Sequence, residues 1–532
     1  MEQIRLTING IPLSAKKDQT ILTVCQENNI NIPSLCHIDC LKTRGNCRIC
    51  VVEVKGEDRL VPACSFRALN GMEILTHSER VKRARKTILE LLLANHPEDC
   101  LVCLKNGECE IQDLAKEFGV RERRYVGFKR NYAPDLSSRA IERDPNKCVL
   151  CGRCIEVCNS VQEVGALNYL NSGFDTVIAP ASFELAASEC VFCGQCVLTC
   201  PTGALRERSA LKNVWTAISD PGKKVAAVIS PSAKIGLFEE TDPKSLDGLM
   251  VSALKTLGFD YVFDMSIANR LYLETLSTEL EDRVKENRLL PLIPAFCPAV
   301  DNLIEKRYPE LIPYLSQIKS PGQLAGALIK TTLADNYGIS PRDLFVVEIK
   351  PCTAAKDEAN REGLRHEGYN DIDAVLTTRE LERMFMTSGI KAENLEMENF
   401  DLPFQNNYPS LNLLEVAGGF KAIFEQSDLG VAIESFDSLA KANKTFQNFD
   451  KFSSYSLLEI FACKEGCIGG GGSNLRNLSE IKERKDRFLA NNIQDTLKPD
   501  KREQPKNEAR YKTLLLKDMK AVYKPKPVSQ TK

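Results

Sequence analysis

The cysteines of this chain fall into sets, and the grouping is what gives them chemistry. Cys148, Cys151, Cys154 and Cys158 form a C-x2-C-x2-C-x3-C run, which Cys190, Cys193, Cys196 and Cys200 repeat with Pro201 behind. Thiolates at this spacing hold iron–sulfur cubes, and in two-cluster modules the fourth cysteine of each run ligates the other cluster. The assignment is therefore Cys148, Cys151, Cys154 and Cys200 to one [4Fe–4S] cluster. Cys190, Cys193, Cys196 and Cys158 go to its partner. A zinc ribbon suits a lone CxxC but not this doubled pattern.

Two further sets precede it. Cys36, Cys47, Cys50 and Cys64 are spaced C-x10-C-x2-C-x13-C, and four soft thiolates suit a [2Fe–2S] cluster. Cys40 is a rival ligand that breaks this spacing. His96, Cys100, Cys103 and Cys109 form H-x3-C-x2-C-x5-C. Alone, His96 reads equally as a surface histidine; beside three cysteines it reads as a fourth ligand, and a neutral imidazole leaves a cluster less negative and its potential higher. The last set is Cys297, Cys352, Cys463 and Cys467, at the ends of apolar runs. Together the sets use nineteen of the 21 cysteines and leave Cys25 and Cys40.

The elements that must position these residues follow from patterning. Ile4, Leu6 and Ile8 alternate with polar residues, Asn9-Gly10 supplies a hairpin turn, and Ile11 and Leu13 resume the alternation. A short helix over TILTVCQENNI and a strand at VVEV complete what looks like a β-grasp ferredoxin domain. RVKRARKTILELLLANHPEDC reads as an amphipathic helix delivering His96. From about residue 222, VAAVIS, YVFDM, LLPLIPAF, DLFVVEI and LLEIFA read as strands, alternating with helical stretches such as GLMVSALKTLGF. IDAVLTTRELERMF continues that pattern. This predicts an α/β sheet in two lobes, with Cys297, Cys352, Cys463 and Cys467 at carboxyl ends of strands, where open α/β sheets bind ligands.

The fold class expected is thus multi-domain, α+β and α/β. Its parts are a [2Fe–2S] β-grasp domain over 1–80, a His/Cys3 [4Fe–4S] domain over 81–135 and a two-cluster ferredoxin-like domain over 136–208. An α/β domain spans 209–480, and a solvated helical tail rich in Lys, Glu, Asn and Pro spans 481–532.

Bulk properties exclude some functions. Net charge −2 with 43% hydrophobic and 27% charged residues gives no basic excess for nucleic acid. No apolar stretch is long enough for a membrane span or export signal, so a cytoplasmic location is expected. There, 21 cysteines point to metal sites rather than disulfides. No NAD or flavin motif is visible. The GGGG at Gly469–Gly472 lacks the strand and helix context of a phosphate loop.

The N-terminal sets, with NGECEIQDLA after Cys109's motif start, resemble segments shared by [FeFe]-hydrogenases and the large iron–sulfur subunit of respiratory complex I. The C-terminal motifs FCPAVDNLIEKRYPEL, EIKPCTAAKDEA and EIFACKEGCIGGGG resemble the three active-site motifs of [FeFe]-hydrogenases. DAVLTTRELERM and KSPGQLAGALIK add to a likeness that covers about residues 1–475. It implies that Cys297, Cys352, Cys463 and Cys467 hold a [4Fe–4S] cubane, and that Cys467 bridges to a di-iron unit carrying CO and CN⁻, together the H-cluster. Maturation proteins would then be needed, and ferredoxin or a flavin/NAD-binding iron–sulfur subunit would be the electron partner.

The sequence departs from that family where protons and diatomic ligands are handled. The proton-relay cysteine is replaced by Phe296, which cannot carry a proton. Glu279, Arg283 and Ser316 match the outer proton path, but the inner carboxylate is Leu276. Glu279 and Arg283 read equally as an ordinary helix-surface pair. The lysine that donates to a cyanide is Ala355, with Lys356 adjacent, and two methionines are replaced by Lys350 and Phe461. A SHENP-like C-terminal motif is not recognisable. The leading expectation is an oxidoreductase that interconverts H2 with protons and electrons at low or altered turnover, with Cys467, Glu279, Arg283 and Ser316 as working residues. The alternative is an electron-transfer or sensory subunit of a flavin/NAD-linked complex with a bare [4Fe–4S] in the last domain. A complex I-like subunit is a third, disfavoured by the C-terminal cysteines.

Overall fold

The computed structural model describes residues 3–39, 41–122, 124–126, 128–237, 243–365, 368–401, 413–424, 430–475, 477–493 and 521–526. Cys40 lies outside them.

The N-terminal domain opens with β1 (Gln3–Ile8) and β2 (Ile11–Lys16), paired antiparallel with Ile8 opposite Ile11. Asn9 and Gly10 take φ of 52° and 82°, the left-handed pair that a two-residue hairpin turn needs. With β3 (Val51–Val54), β4 (Val61–Pro62) and β5 (Glu73–Leu75) they form one sheet in the order β2-β1-β5-β3-β4, β1 and β5 running parallel. Leu6, Ile8, Val52, Val54 and Ile74 pack against Leu22, Val24 and Cys25 of the helix Ile21–Glu27. Cys25 is thus a core thiol, and burial pushes it up to about 11, which suits a small hydrophobe rather than a ligand.

The helix Glu79–Ala94 is capped by Ser78, whose Oγ accepts from the Val81 amide at 3.3 Å. Its end delivers His96. The two-cluster module is built on two short antiparallel pairs, β6 (Ile141–Arg143) with β9 (Leu205–Glu207), and β7 (Asn168–Leu170) with β8 (Val177–Ala179).

The C-terminal domain centres on β10 (Lys224–Ile229), β11 (Tyr261–Asp264), β12 (Leu344–Ile349) and β13 (Ala374–Leu376), all parallel in the order β11-β10-β12-β13. Val225 to Ile229 are all buried, as expected of a parallel strand covered on both faces. A second lobe carries the parallel pair β14 (Ile433–Phe436) and β15 (Leu457–Ile460).

Two expectations need correction. LLPLIPAF is not a strand: only Leu292 and Ile293 form isolated bridges, to Leu457 and Leu315. Pro291 and Pro294 have no amide hydrogen to give a ladder. Cys297 accordingly caps the helix Pro298–Arg307. The tail is not wholly solvated either. In the helix Leu478–Ile493, Ile481 and Phe488 are buried with Ile235, Ile468 and Leu475. Further on, Ala521 is buried and its amide donates to the Gln317 carbonyl at 2.6 Å, while Lys526 Nζ reaches Asn302 at 2.5 Å and Glu305 at 2.8 Å. Polar composition hid these anchors. No helix among the described residues is long and apolar enough to cross a membrane.

Candidate iron–sulfur sites

In the N-terminal domain Cys36, Cys47, Cys50 and Cys64 are all buried. Their thiols lie within hydrogen-bonding reach of one another, Cys36 with Cys47 and Cys64, and Cys50 with Cys64. His96 is also buried, Cys109 caps the helix Glu110–Glu117, and Cys100 is exposed. Lys147 Nζ lies 3.6 Å from Cys103 Sγ. Among the described residues no three His, Cys, Asp or Glu side chains gather as around a single ion. Ligands of a multi-atom cage need no such convergence.

In the two-cluster module Cys148, Cys151, Cys154 and Cys200 line one cavity with Pro201 and Thr202. Cys193 and Cys196 lie in the electrostatic reach of Cys190 and of Cys158. The fold thus brings Cys200 to the first run and Cys158 to the second. Gly152 and Gly194, at φ 82° and 71°, stand at the N-caps of the short helices that carry Cys154 and Cys196.

The C-terminal cysteines come from four places. Cys297 precedes the helix Pro298–Arg307, Cys352 follows β12, Cys463 follows β15, and Cys467 opens a short turn after Gly466. All four line one cavity together with Cys193, Phe296, Lys350 and Phe461. As free thiols they are penalised by burial, Cys352 being pushed up to about 12. Four thiols converging on one space, Cys297 and Cys467 buried and Cys352 and Cys463 partly so, fit a [4Fe–4S] cubane.

The GGGG stretch has a steric task. A Cβ on Gly471 would stand 2.4 Å from the Gly194 Cα, and one on Gly194 would stand 2.3 Å from Thr353 Oγ1. Only paired glycines let the two backbones approach so closely. Beside them Gln195 Nε2 donates to the Gly469 carbonyl at 2.8 Å and lies 3.5 Å from Cys463 Sγ. The two-cluster module is thereby seated on the C-terminal cysteines. The bidentate pair Arg379–Glu207, buried at 2.9 and 3.1 Å, adds a second tie.

The three residues expected on an outer proton path are joined by hydrogen bonds. Arg283 Nη2 donates to Glu279 at 2.6 Å, and Ser316 Oγ donates to the other Glu279 oxygen at 2.6 Å. They are more than a surface pair, since Arg283 is largely buried and also donates to the Leu289 carbonyl at 3.0 Å. Further in, the packing is aliphatic and aromatic, with the Tyr272 hydroxyl buried within it. Leu276 is fully buried, and Phe296 is the hub of an aromatic group: Tyr272 at 6.0 Å, Phe420 at 5.3 Å and Phe461 at 5.8 Å between ring centres. Leu276, Phe296 and Cys467 belong to one packed cluster.

Lys356, next to Ala355, is committed elsewhere. Its Nζ donates to Glu380 at 2.7 Å and to the Val375 carbonyl at 2.6 Å, and Glu380 also closes a capping box with Thr377. Lys350 instead faces the cysteine cavity. It is buried with Glu348 at 3.9 Å and Glu415 at 3.2 Å. In the sequence Lys350 reads only as a replaced methionine, and no local pattern ties either carboxylate to it. Glu348 left a signal, a charge inside the apolar run of a buried strand.

Comparisons with known proteins agree with this layout. The family model described as "Iron only hydrogenase large subunit, C-terminal domain" matches residues 223–471. Models for a 2Fe-2S iron-sulfur cluster binding domain, the NADH-ubiquinone oxidoreductase-G iron-sulfur binding region and a 4Fe-4S dicluster domain match residues 1–79, 85–124 and 147–204. The NADP-reducing hydrogenase subunit HndD of Solidesulfovibrio fructosivorans is 35% identical over 89% of each chain. Iron hydrogenase 1 of Clostridium pasteurianum is 32% identical over 91% of each. A solved [FeFe]-hydrogenase, from work on oxygen inactivation of the H cluster, aligns with a TM-score of 0.51 at 22% identity. It covers 60% of this chain and 99% of that one, and it shares the fold.

Proposed function

Since this chain belongs to the iron-only, or [FeFe]-, hydrogenase large-subunit family as a divergent member, we propose that it is the cluster-bearing subunit of an iron–sulfur oxidoreductase that carries electrons without turning over H2. In this reading the five parts divide at residues 80, 135, 208 and 480. Electrons enter from a flavin- or NAD(P)-binding partner, or from ferredoxin, because the chain has relay sites and no nucleotide motif. One [2Fe–2S] and three [4Fe–4S] sites lead to a last [4Fe–4S] held by Cys297, Cys352, Cys463 and Cys467. The relative HndD is a subunit of an NADP-reducing hydrogenase, which supports a nicotinamide-linked assembly.

The observation that carries this reading is the setting of Cys467. Phe296, Phe461 and the Lys350 ammonium share its cavity, and this donor set fits a cubane but not a di-iron unit beside it. Protons have no carrier at Leu276 or Phe296, and turnover of H2 needs one for every electron. A second reading keeps H2 conversion at low rate. The intact Cys467 and the linked Glu279–Ser316–Arg283 set favour it, and maturation proteins would then be required.

The two part in an assay. Anaerobic protein co-produced with maturation proteins and supplied with reduced viologen is expected to show reduced clusters by electron paramagnetic resonance and no H2. Sustained H2 evolution would favour the second reading. Purified alone, the chain should not oxidise NADH.

A further inference from the structure

Lys350 is held in a built arrangement of charge. Its two carboxylate partners are themselves buried, Glu348 and Glu415 each being 1% exposed. A Cβ at position 322 would lie 2.2 Å from Glu348 Oε1, so glycine there opens the space this carboxylate fills. Glu415 is anchored from behind, where its other oxygen accepts from the Ser232 amide at 2.8 Å and from the Ser232 hydroxyl. Lys350 lines the cavity of Cys297, Cys352, Cys463 and Cys467, and neither carboxylate does. The set is thus an oriented dipole with its positive end toward the cysteines.

A cubane on four thiolates is an anion, and reduction adds one more negative charge. A desolvated cation at its edge favours the reduced form, and charge near a cluster is among the terms that set its potential. Carboxylates behind the cation oppose it from farther away.

We propose that Lys350 sets the redox potential of the C-terminal cluster, its ammonium acting as a fixed counter-charge beside Cys467, so that this site is the preferred electron acceptor of the relay. One electron passes from the site at Cys158, Cys190, Cys193 and Cys196, which is oxidised, to this one, which is reduced. No bond or proton changes hands. The inference rests on the proposed reading of these four cysteines as a [4Fe–4S] site without a di-iron unit.

The test is a redox titration of the anaerobic, cluster-loaded full chain, followed by electron paramagnetic resonance, with the C-terminal signal assigned by its loss in Cys352→Ser. In Lys350→Met the ratio of reduced to oxidised cluster at fixed potential should fall about tenfold, equivalent to about 59 mV for a one-electron couple. Glu415→Gln should move it the opposite way. A merely structural role would not give opposite signs. Because Lys350→Met leaves Glu348 and Glu415 buried without their cation, the triple variant Glu348→Gln, Lys350→Met, Glu415→Gln is measured as well and should fall below Glu415→Gln. Equal potentials in all variants, or shifts of one sign, overturn the proposal. Infrared bands of metal-bound CO and CN⁻ in the same wild-type sample would instead overturn the reading of the site on which it rests.

Discussion

The Lys350 ammonium stands 5.3 Å from the centre of the Phe296 ring, so the cation and the aromatic side chain that replace two family residues are packed against each other. Two departures that look independent in the sequence are one structural unit. A contact of this kind is worth about 2 kcal/mol when desolvated.

Restoring the proton relay should therefore not restore hydrogenase chemistry. Phe296→Cys combined with Leu276→Glu supplies the missing proton carriers and leaves Lys350 and Ala355 in place. H2 evolution from reduced viologen is expected to stay at background. A rise of 10²-fold, within the range ordinary for a general acid–base group, would mean that proton delivery was the limiting defect after all.

Gly471 offers a test of the seat between the two-cluster module and the C-terminal site. Its Cα–Cβ direction points at the Gly194 backbone, 2.4 Å from an added methyl, and backbone cannot yield as a flexible side chain does. Gly471→Ala is expected to cost roughly 1–3 kcal/mol of stability, as overpacking does. It should also slow reduction of the C-terminal cluster relative to the other clusters in stopped-flow traces. Unchanged stability and unchanged kinetics would show that the contact relaxes freely.

Glu348 gives the fold a pH dependence. Burial pushes its carboxyl from 4.5 to about 7, against the opposing pull of Lys350. Below about pH 4.5 the folded and unfolded chains both hold this proton. From there to about pH 7 the unfolded chain releases it while the folded chain keeps it, so stability falls as pH rises, by roughly 3 kcal/mol in full. Glu348→Gln removes that loss. Its advantage over wild type in denaturant midpoint should grow between pH 5.5 and 7 and then level off; a constant difference across that range would contradict the assignment.

The proposed ligand sets imply an iron inventory. One two-iron and four four-iron clusters require about eighteen irons per chain. Iron and acid-labile sulfide on the anaerobic full chain are expected near that value. A count near ten would remove two of the proposed cubanes.

Much of this was legible in the sequence because cluster ligands are written in short spacings. The doubled cysteine run predicted the crossed set of Cys148, Cys151, Cys154 and Cys200, which the fold gathers on one cavity, and Asn9-Gly10 predicted its hairpin. What escaped was long-range or negative in character. Glu415 meets Lys350 across 65 residues of chain, and no local pattern marks such a pair. Gly194 and Gly471 are needed for the space they leave rather than for a motif. Pro291 and Pro294 broke a strand that hydrophobicity alone suggested. The anchors at Ala521 and Lys526 are two residues in a polar tail, too few to register against its composition.

The most direct measurement is the infrared spectrum of the full chain, purified anaerobically after co-production with maturation proteins. Metal-bound CO and CN⁻ absorb where proteins do not. An empty window is expected in wild type, with the C-terminal cubane still detectable by electron paramagnetic resonance. CO and CN⁻ bands that disappear in Cys467→Ser would contradict it and establish a di-iron unit at this site.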